Sequence, residues 1–339
     1  MRQIKPLTRT NEMVITFPVG TRPFIGPRPI NLNRDVPQVI NLLELVFGHR
    51  LGGNEQRLFS SETGLSQPAF LWRLNPATSK LALGFVWEEN GRIIGNATLL
   101  TTRTPGRYLV VNVAVHPDFR RRGIARDLME SLTSLVEKRG GHKILLQVVK
   151  DNTAALELYR SLNYNTIGSI TTWRCASQRL RDIEPGFLNQ TEPAIHELSR
   201  HDWQKAYQLD TAALPIDLNW PEPLPKDAYN RGLWRLFDNF LNGRRSEVWV
   251  TCDQDKQLTG LVGIWSEWGR PHQIALRVHP VWKGQLERPL LAKAIRRISY
   301  LSARNVRIDH PDDDELTNKL LQAANFQPRR TLTHMSLGI

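Results

Sequence analysis

The sequence predicts an α/β protein built from two tandem copies of one fold. Three observations carry this reading. A buried strand runs through a short loop into an amphipathic helix between Tyr108 and Ala125, a second strand and helix follow directly, and the same signals return in the second half of the chain. Val86 and Trp87 come back as Val248 and Trp249, Val115, His116 and Pro117 as Val278, His279 and Pro280, and the stretch Leu158 to Tyr164 as Leu320 to Phe326, each 162 or 163 residues later. Several anchors in one register point to a duplication. At 339 residues the chain can hold two cores of ~150 residues each. We divide it into an arm over 1–27, a first copy over 28–176, a linker over 177–193 and a second copy over 194–339.

Taken in order, residues Met1 to Pro29 mix Pro, Gly and Arg and read as an extended arm, Ile30 and Leu32 alternate as a short strand, and Asp35 caps a helix with Val39, Leu42, Leu43, Val46 and Phe47 on its apolar stripe. Phe59 to Lys80 reads as a second short helix and a loop near a cleft. Leu81 to Glu88 and Arg92 to Thr101 form a hairpin around Glu89, Asn90 and Gly91. Leu109 to Val115 is apolar apart from Asn112, which suits a strand buried on both faces. Ile124, Leu128, Met129, Leu132, Leu135 and Val136 then recur at helical spacing until Gly140 and Gly141 end the helix. Ile144 to Val149 is the second buried strand, Ala155, Leu158, Tyr159 and Leu162 mark the next helix, and Asn163 takes the left-handed position at its end. Closing strands follow over Tyr164 to Arg174.

The composition bounds the function classes. Apolar residues at 40% and charged residues at 23% describe a folded globular chain. The net charge of +12 favours anionic partners, but the arginines are scattered and no zinc-ligand spacing or aromatic RNA-binding motif accompanies them, which argues against nucleic acid. Two cysteines, Cys175 and Cys252, one in each half, make no disulfide framework and no metal cluster. With no apolar run of membrane-spanning length and no signal-peptide pattern at the N-terminus, the expected location is the cytoplasm, without metal or membrane.

The chemistry concentrates in the loop after the buried strand. Arg120, Arg121 and Arg122 precede Gly123 and Ala125 at a helix start, where backbone N–H groups without acceptors face outward and a cation-rich rim attracts phosphate. Arg120, Gly123 and Ala125 match the (Gln/Arg)xxGx(Gly/Ala) pattern, and Asn152, Ala155, Leu158, Tyr159 and Tyr164 match a later NxxAxxLYxxxxY pattern, so that residues 29–175 resemble the GNAT acyltransferases. The resemblance implies a mixed, mostly antiparallel twisted sheet in each copy, with helices on both faces and a splayed central strand. It further implies acetyl-CoA as acetyl donor, its pantetheine along Val113, Ala114 and Val115, its pyrophosphate on the amides of Arg121, Arg122, Gly123, Ile124, Ala125 and Arg126, and Asn152 beside the cofactor. Tyr159 would be the general acid that protonates the departing thiolate.

Each assignment has a plainer alternative. Asn152 also suits an ordinary helix cap, and Tyr159 shares a helical face with Ala155 and Leu162, where a tyrosine can simply pack. Family members often place a basic glutamate on the central strands, yet the matching positions here are Leu109 and Gln147, so a water chain is the expected substitute. Glu88, Glu89, His116 and Asp118 are candidates by type alone, and His116 persists as His279 in the second copy, which suits a turn-forming role. That copy carries KGQLER opposite RRRGIA, Asp314 opposite Asn152 and Leu321 opposite Tyr159, with Leu286 expected to crowd a phosphate, so it reads as inactive. The function expected is N-acetyl transfer to a primary amine of a small molecule or peptide by the first copy, with Trp220, Trp234, Trp265, Trp268 and Trp282 as candidate walls of the acceptor cleft. The alternative is an acetyl-CoA-binding pseudoenzyme that acts through a partner.

Overall fold

A computed structural model describes residues 25–48, 82–188, 194–220, 223–230, 232 and 243–339. The helix and loop expected over 59–80, most of the arm and Trp234 lie outside the described residues. The first half runs β1 (Ile25–Pro29), α1 (Leu32–Phe47), β2 (Ala82–Glu89), β3 (Arg92–Thr101), β4 (Arg107–Val115), α2 (Ile124–Lys138), β5 (Lys143–Val149), α3 (Thr153–Ser161) and β6 (Asn165–Cys175). The second half repeats that order as β7 (His196–Glu197), α4 (Trp203–Ala213), β8 (Arg244–Cys252), β9 (Leu258–Glu267), β10 (His272–Val278), α5 (Glu287–Ser299), β11 (Val306–Pro311), α6 (Glu315–Ala323) and β12 (Gln327–Gly338).

Local chemistry explains most of these boundaries. Asn90 (φ 53°) and Gly91 (φ 78°) supply the left-handed pair that closes the β2–β3 hairpin. Asn163, with φ 64°, takes the left-handed position after α3, as its type and place predict, and Asn325 at 61° does the same after α6. Two expectations shift. The first strand is Ile25–Pro29, earlier than Ile30 and Leu32, and it pairs with β2 from Ile25 opposite Glu89 to Pro29 opposite Phe85. The N-cap of α1 is Asn31, whose side chain accepts from the Asn33 N–H; Asp35 is fully buried one turn on, where it accepts from the Asn31 N–H at 2.7 Å and from both terminal nitrogens of Arg28. A carboxylate there binds back to the chain entering the helix, which a cap search by residue type alone mistakes for the cap itself.

All described strands join in one mixed sheet in the order β1-β2-β3-β4-β5-β12-β6-β11-β10-β9-β8-β7. Within each half the pattern is antiparallel up to one parallel pair, β4 with β5 and β10 with β11. The last strand of each half crosses to the other: β12 pairs with β5 from Leu332 opposite Val149 to Gly338 opposite Lys143, and β6 pairs with β11 from Cys175 opposite Val306 to Ile170 opposite Pro311. Helices α2 and α3 cover one face of the first half, where Ile124, Leu128, Leu132, Ile144, Leu146 and Val148 make a core that also takes in Met335 of β12. The other face carries α1, through Val39 and Leu42 against Val86, Ile93 and Ala114. Residues 179–188 do not form a free tether, since Ile183 and Phe187 are buried in the core of the second half with Trp173 and Cys175.

Candidate active site

The site is organised by a break in the sheet. β4 and β5 pair in parallel only from Arg107 opposite Lys143 to Val110 opposite Leu146, after which the two strands part although β4 continues to Val115 and β5 to Val149. The cause lies in β4. Asn112 has φ 56°, and the register against β3 slips between Val111 opposite Thr98 and Ala114 opposite Asn96, the signature of a bulge. Fully buried Asn96 holds the bulge by donating from Nδ2 to the Asn112 carbonyl at 2.8 Å and to Thr98 Oγ1 at 3.2 Å. Asn112 was the one polar residue in an apolar run; its left-handed conformation was not read from the sequence, nor was the part played by Asn96.

Val113, Ala114 and Val115 therefore stand on the stretch of β4 that has left β5, and among the described residues no strand pairs with them on that side. The chain then turns through Pro117–Phe119 to the start of α2. Arg121 (φ 64°) and Gly123 (φ 81°) both lie in the left-handed region, and Asp127 N–H to the Gly123 carbonyl is the first bond of the helix. The amides from Arg121 to Arg126 meet no acceptor among the described residues. A Cβ at Gly123 would touch nothing within 4 Å, so the loop is open on its outer side. Successive N–H groups at a helix start with an open approach suit a pyrophosphate. Around them Arg120 Nε donates to the Val115 carbonyl at 3.3 Å, Arg122 pairs with Glu89 at 2.9 Å, and Arg126 donates to Ser161 Oγ at 2.6 Å, while the Ile124 side chain is buried in the core.

Asn152 does cap α3, its Oδ1 accepting from the Ala155 N–H at 3.3 Å. Tyr159 is 6% exposed, has its ring 5.9 Å from that of Tyr164, and its hydroxyl makes no hydrogen bond among the described residues. Burial pushes its phenol well above the ordinary range, so the proton stays on at neutral pH and can be donated. Three of the candidate bases are engaged by neighbours, and the Asp118 carboxylate is exposed. Glu88 receives Arg28 at 2.5 Å and Arg34 at 2.6 Å, Glu89 holds Arg122, and His116 Nδ1 accepts from the Asp118 N–H. His279 Nδ1 accepts from Val281 N–H in the same way, so the His-Pro pair shapes a turn in both copies.

β10 and β11 also part after Ile274 opposite Ile308, but no bulge marks β10 and the space holds the protein's own charges. Arg277 donates to Asp210 at 2.9 Å, Asp210 also accepts from the Tyr229 hydroxyl, and His310 lies 3.0 Å from Asp314. Burial alone would raise the Asp314 carboxyl, yet hydrogen bonds from His310 and the Thr317 N–H outweigh it and hold it at about 2. Leu286 does not crowd the loop as expected. It is buried against Gly260 with Leu290, as Ile124 and Leu128 lie against Gly95. Glu287 fills the cradle instead: its carboxylate, 2% exposed, accepts from the Gly284 N–H at 2.8 Å.

Of the tryptophans expected at the cleft, Trp220 lies edge-on to His334 of the exchanged strand β12, with centroids 5.5 Å apart. Trp265 and Trp282 pack on cores of the second half, and Trp268 is 89% exposed.

Residues 54–164, about a third of the chain, match the Acetyltransferase (GNAT) family. Ribosomal protein bS18-alanine N-acetyltransferase of Escherichia coli (strain K12) is 37% identical over 83 residues, 24% of this chain and 55% of the relative. An acetyltransferase of Pectobacterium atrosepticum is 39% identical over 89 residues, 26% of this chain and 62% of the relative. The chain thus spans a little over half the length of these curated relatives. Across both halves the fold is similar to a GCN5-related N-acetyltransferase from Sphaerobacter thermophilus, with TM-score 0.54, 15% identity and coverage of 92% of this chain and 95% of the other.

Proposed function

We propose that the chain is an acetyl-CoA-dependent N-acetyltransferase whose first half carries an acetyl group to a primary amine by direct attack. The observation that carries the reading is the parting of β4 from β5 on the strand that leads into a helix start whose amides meet no acceptor among the described residues. Pantetheine would pair with the free edge of Val113, Ala114 and Val115, with Arg120 yielding the Val115 carbonyl, and pyrophosphate would take the amides from Arg121 to Arg126. The amine lone pair attacks the thioester carbonyl carbon, the carbon–sulfur bond breaks, Tyr159 gives its proton to the thiolate, and the proton lost by the amine passes through water to restore the Tyr159 phenol. Asn152 both caps α3 and borders the cofactor.

The second half serves as scaffold, its own cradle closed by Glu287. The N-terminal amine of a peptide is the acceptor class favoured by the name of the bS18-alanine relative, and the cytoplasm is the expected setting.

Release of thiol from acetyl-CoA with a panel of amines and peptides tests the reading, together with cofactor binding by calorimetry. Gly123→Leu should keep the fold and abolish binding, because a side chain at φ 81° costs about 1–2 kcal/mol and a branched one covers the amides. Tyr159→Phe should lower kcat about 10- to 100-fold with KM for acetyl-CoA unchanged. Unaltered cofactor affinity in the first variant, or binding without turnover on any amine, defeats the proposal.

A further inference from the structure

Gln147 is the first residue of β5 beyond its last pair with β4, at the mouth of the opening. Ile144, Leu146 and Val148 point into the core under α2, so Gln147 stands on the opposite face of the sheet. Directly across from it in register is His334 of the exchanged strand β12. Gln147 Nε2 lies 3.0 Å from His334 Nε2. With the amide nitrogen turned to the ring, the imidazole Nε2 is the acceptor and the proton resides on Nδ1, which is buried and meets no acceptor among the described residues. The amide is thereby turned with its carbonyl oxygen away from the ring. That oxygen has no partner among the described residues, and the side chain is half-buried rather than sealed.

The second half keeps His334 in place. It is 2% exposed beneath the edge-on ring of Trp220. Trp220 follows a short turn, Ile216–Leu218, whose Asp217 reaches across to accept from buried Arg107 of β4 at 2.6 Å and from Lys143 of β5. Leu218 packs on Gly168 of β6. The loop is therefore anchored on both strands that border the opening.

We propose that the acceptor amine is received at a site made by both halves, in which the Gln147 carbonyl oxygen accepts an N–H of the neutral amine where β4 and β5 part, and His334 is the positioning residue that fixes the amide in that orientation. This rests on the acetyltransferase reading above. One N–H held by Gln147 leaves the nitrogen lone pair free to face the thioester. His334 suits the task because burial pushes its ring down to about 4, so it remains an acceptor for the amide throughout the neutral range.

The test is steady-state kinetics of the full chain with acetyl-CoA and the best amine of the panel. His334→Leu and Gln147→Leu should each raise KM for the amine about tenfold, as for one lost hydrogen bond, and leave KM for acetyl-CoA unchanged. The double variant should be no worse than either single one, and His334→Gln, which keeps an acceptor beside the amide, should restore most of the loss. Gln147→Leu, on a half-buried position, carries the test if His334→Leu fails to fold. An amine KM unaffected by either variant, or a fall in kcat alone with both KM values intact, overturns the inference while leaving the transferase reading standing. A wild-type chain that binds acetyl-CoA yet acetylates no amine overturns both.

Discussion

Gly123 and Glu287 stand at matching helix starts and divide the two copies. One leaves backbone amides open and the other spends an amide on a buried carboxylate. His334 gives the residue scale a second, measurable consequence. In the unfolded chain its imidazole binds a proton below 6.5, whereas in the fold burial delays protonation to about 4. The unfolded state therefore holds more protons between those values, so the stability contributed by neutral His334 is complete above pH 6.5 and is lost as pH falls toward 4, by up to about 3 kcal/mol. Denaturant titrations from pH 7.5 to 4 should show this slope, and His334→Gln should flatten it; an equal slope in both proteins refutes the assignment. Asp314, held at about 2, belongs to a separate window, with its contribution lost only below 3.8. At this scale the sequence marked Arg120 to Arg126 as a helix start, because a glycine preceded by arginines and followed by the apolar spacing from Ile124 is a local signal. It concealed His334, since nothing local links a residue of the last strand to Gln147.

At the scale of the element, β4 matters most, because one left-handed residue turns an ordinary strand into half of a groove. Asn tolerates that conformation, glycine accepts it freely, and a β-branched residue does not. Asn112→Val should thus press the bulge flat, allow β4 to follow β5 beyond Val110, and weaken acetyl-CoA binding at least tenfold, whereas Asn112→Gly should bind nearly as well as the wild type. Calorimetry on the three proteins decides it, and equal affinities would show that the bulge does not set the groove. The hairpin, α2, α3 and both central strands were legible because each is marked by local chemistry: the Asn90-Gly91 turn, the spacing from Ile124 to Val136, the left-handed Asn163. The bulge was less so. Asn112 is conspicuous in an apolar strand, but its conformation depends on the Asn96 amide sixteen positions away.

At the scale of the molecule, duplication was readable from repeated anchors, while the exchange of last strands was not. A strand's neighbours follow from the shape of the whole sheet rather than from its own sequence, so the local pattern of β6 or β12 does not name its partner. The exchange has a thermodynamic consequence. β12 completes the first core through Met335 and covers the edge of β5, and β6 in turn covers β11, so neither half closes without the other. A fragment of residues 1–176 retains β6 but lacks β12, leaving the Lys143–Val149 edge unpaired beside an exposed apolar face. We expect no folded monomer from this fragment: size-exclusion chromatography with light scattering should give dimers or aggregates, as β6 of one copy takes the empty slot in another. The full chain should unfold in one cooperative transition seen alike by far-ultraviolet dichroism and tryptophan fluorescence. A monomeric fragment with a sharp transition of its own, or two separated transitions in the full chain, would show that the halves are energetically independent, and the composite acceptor site would then lack the rigid frame on which it depends.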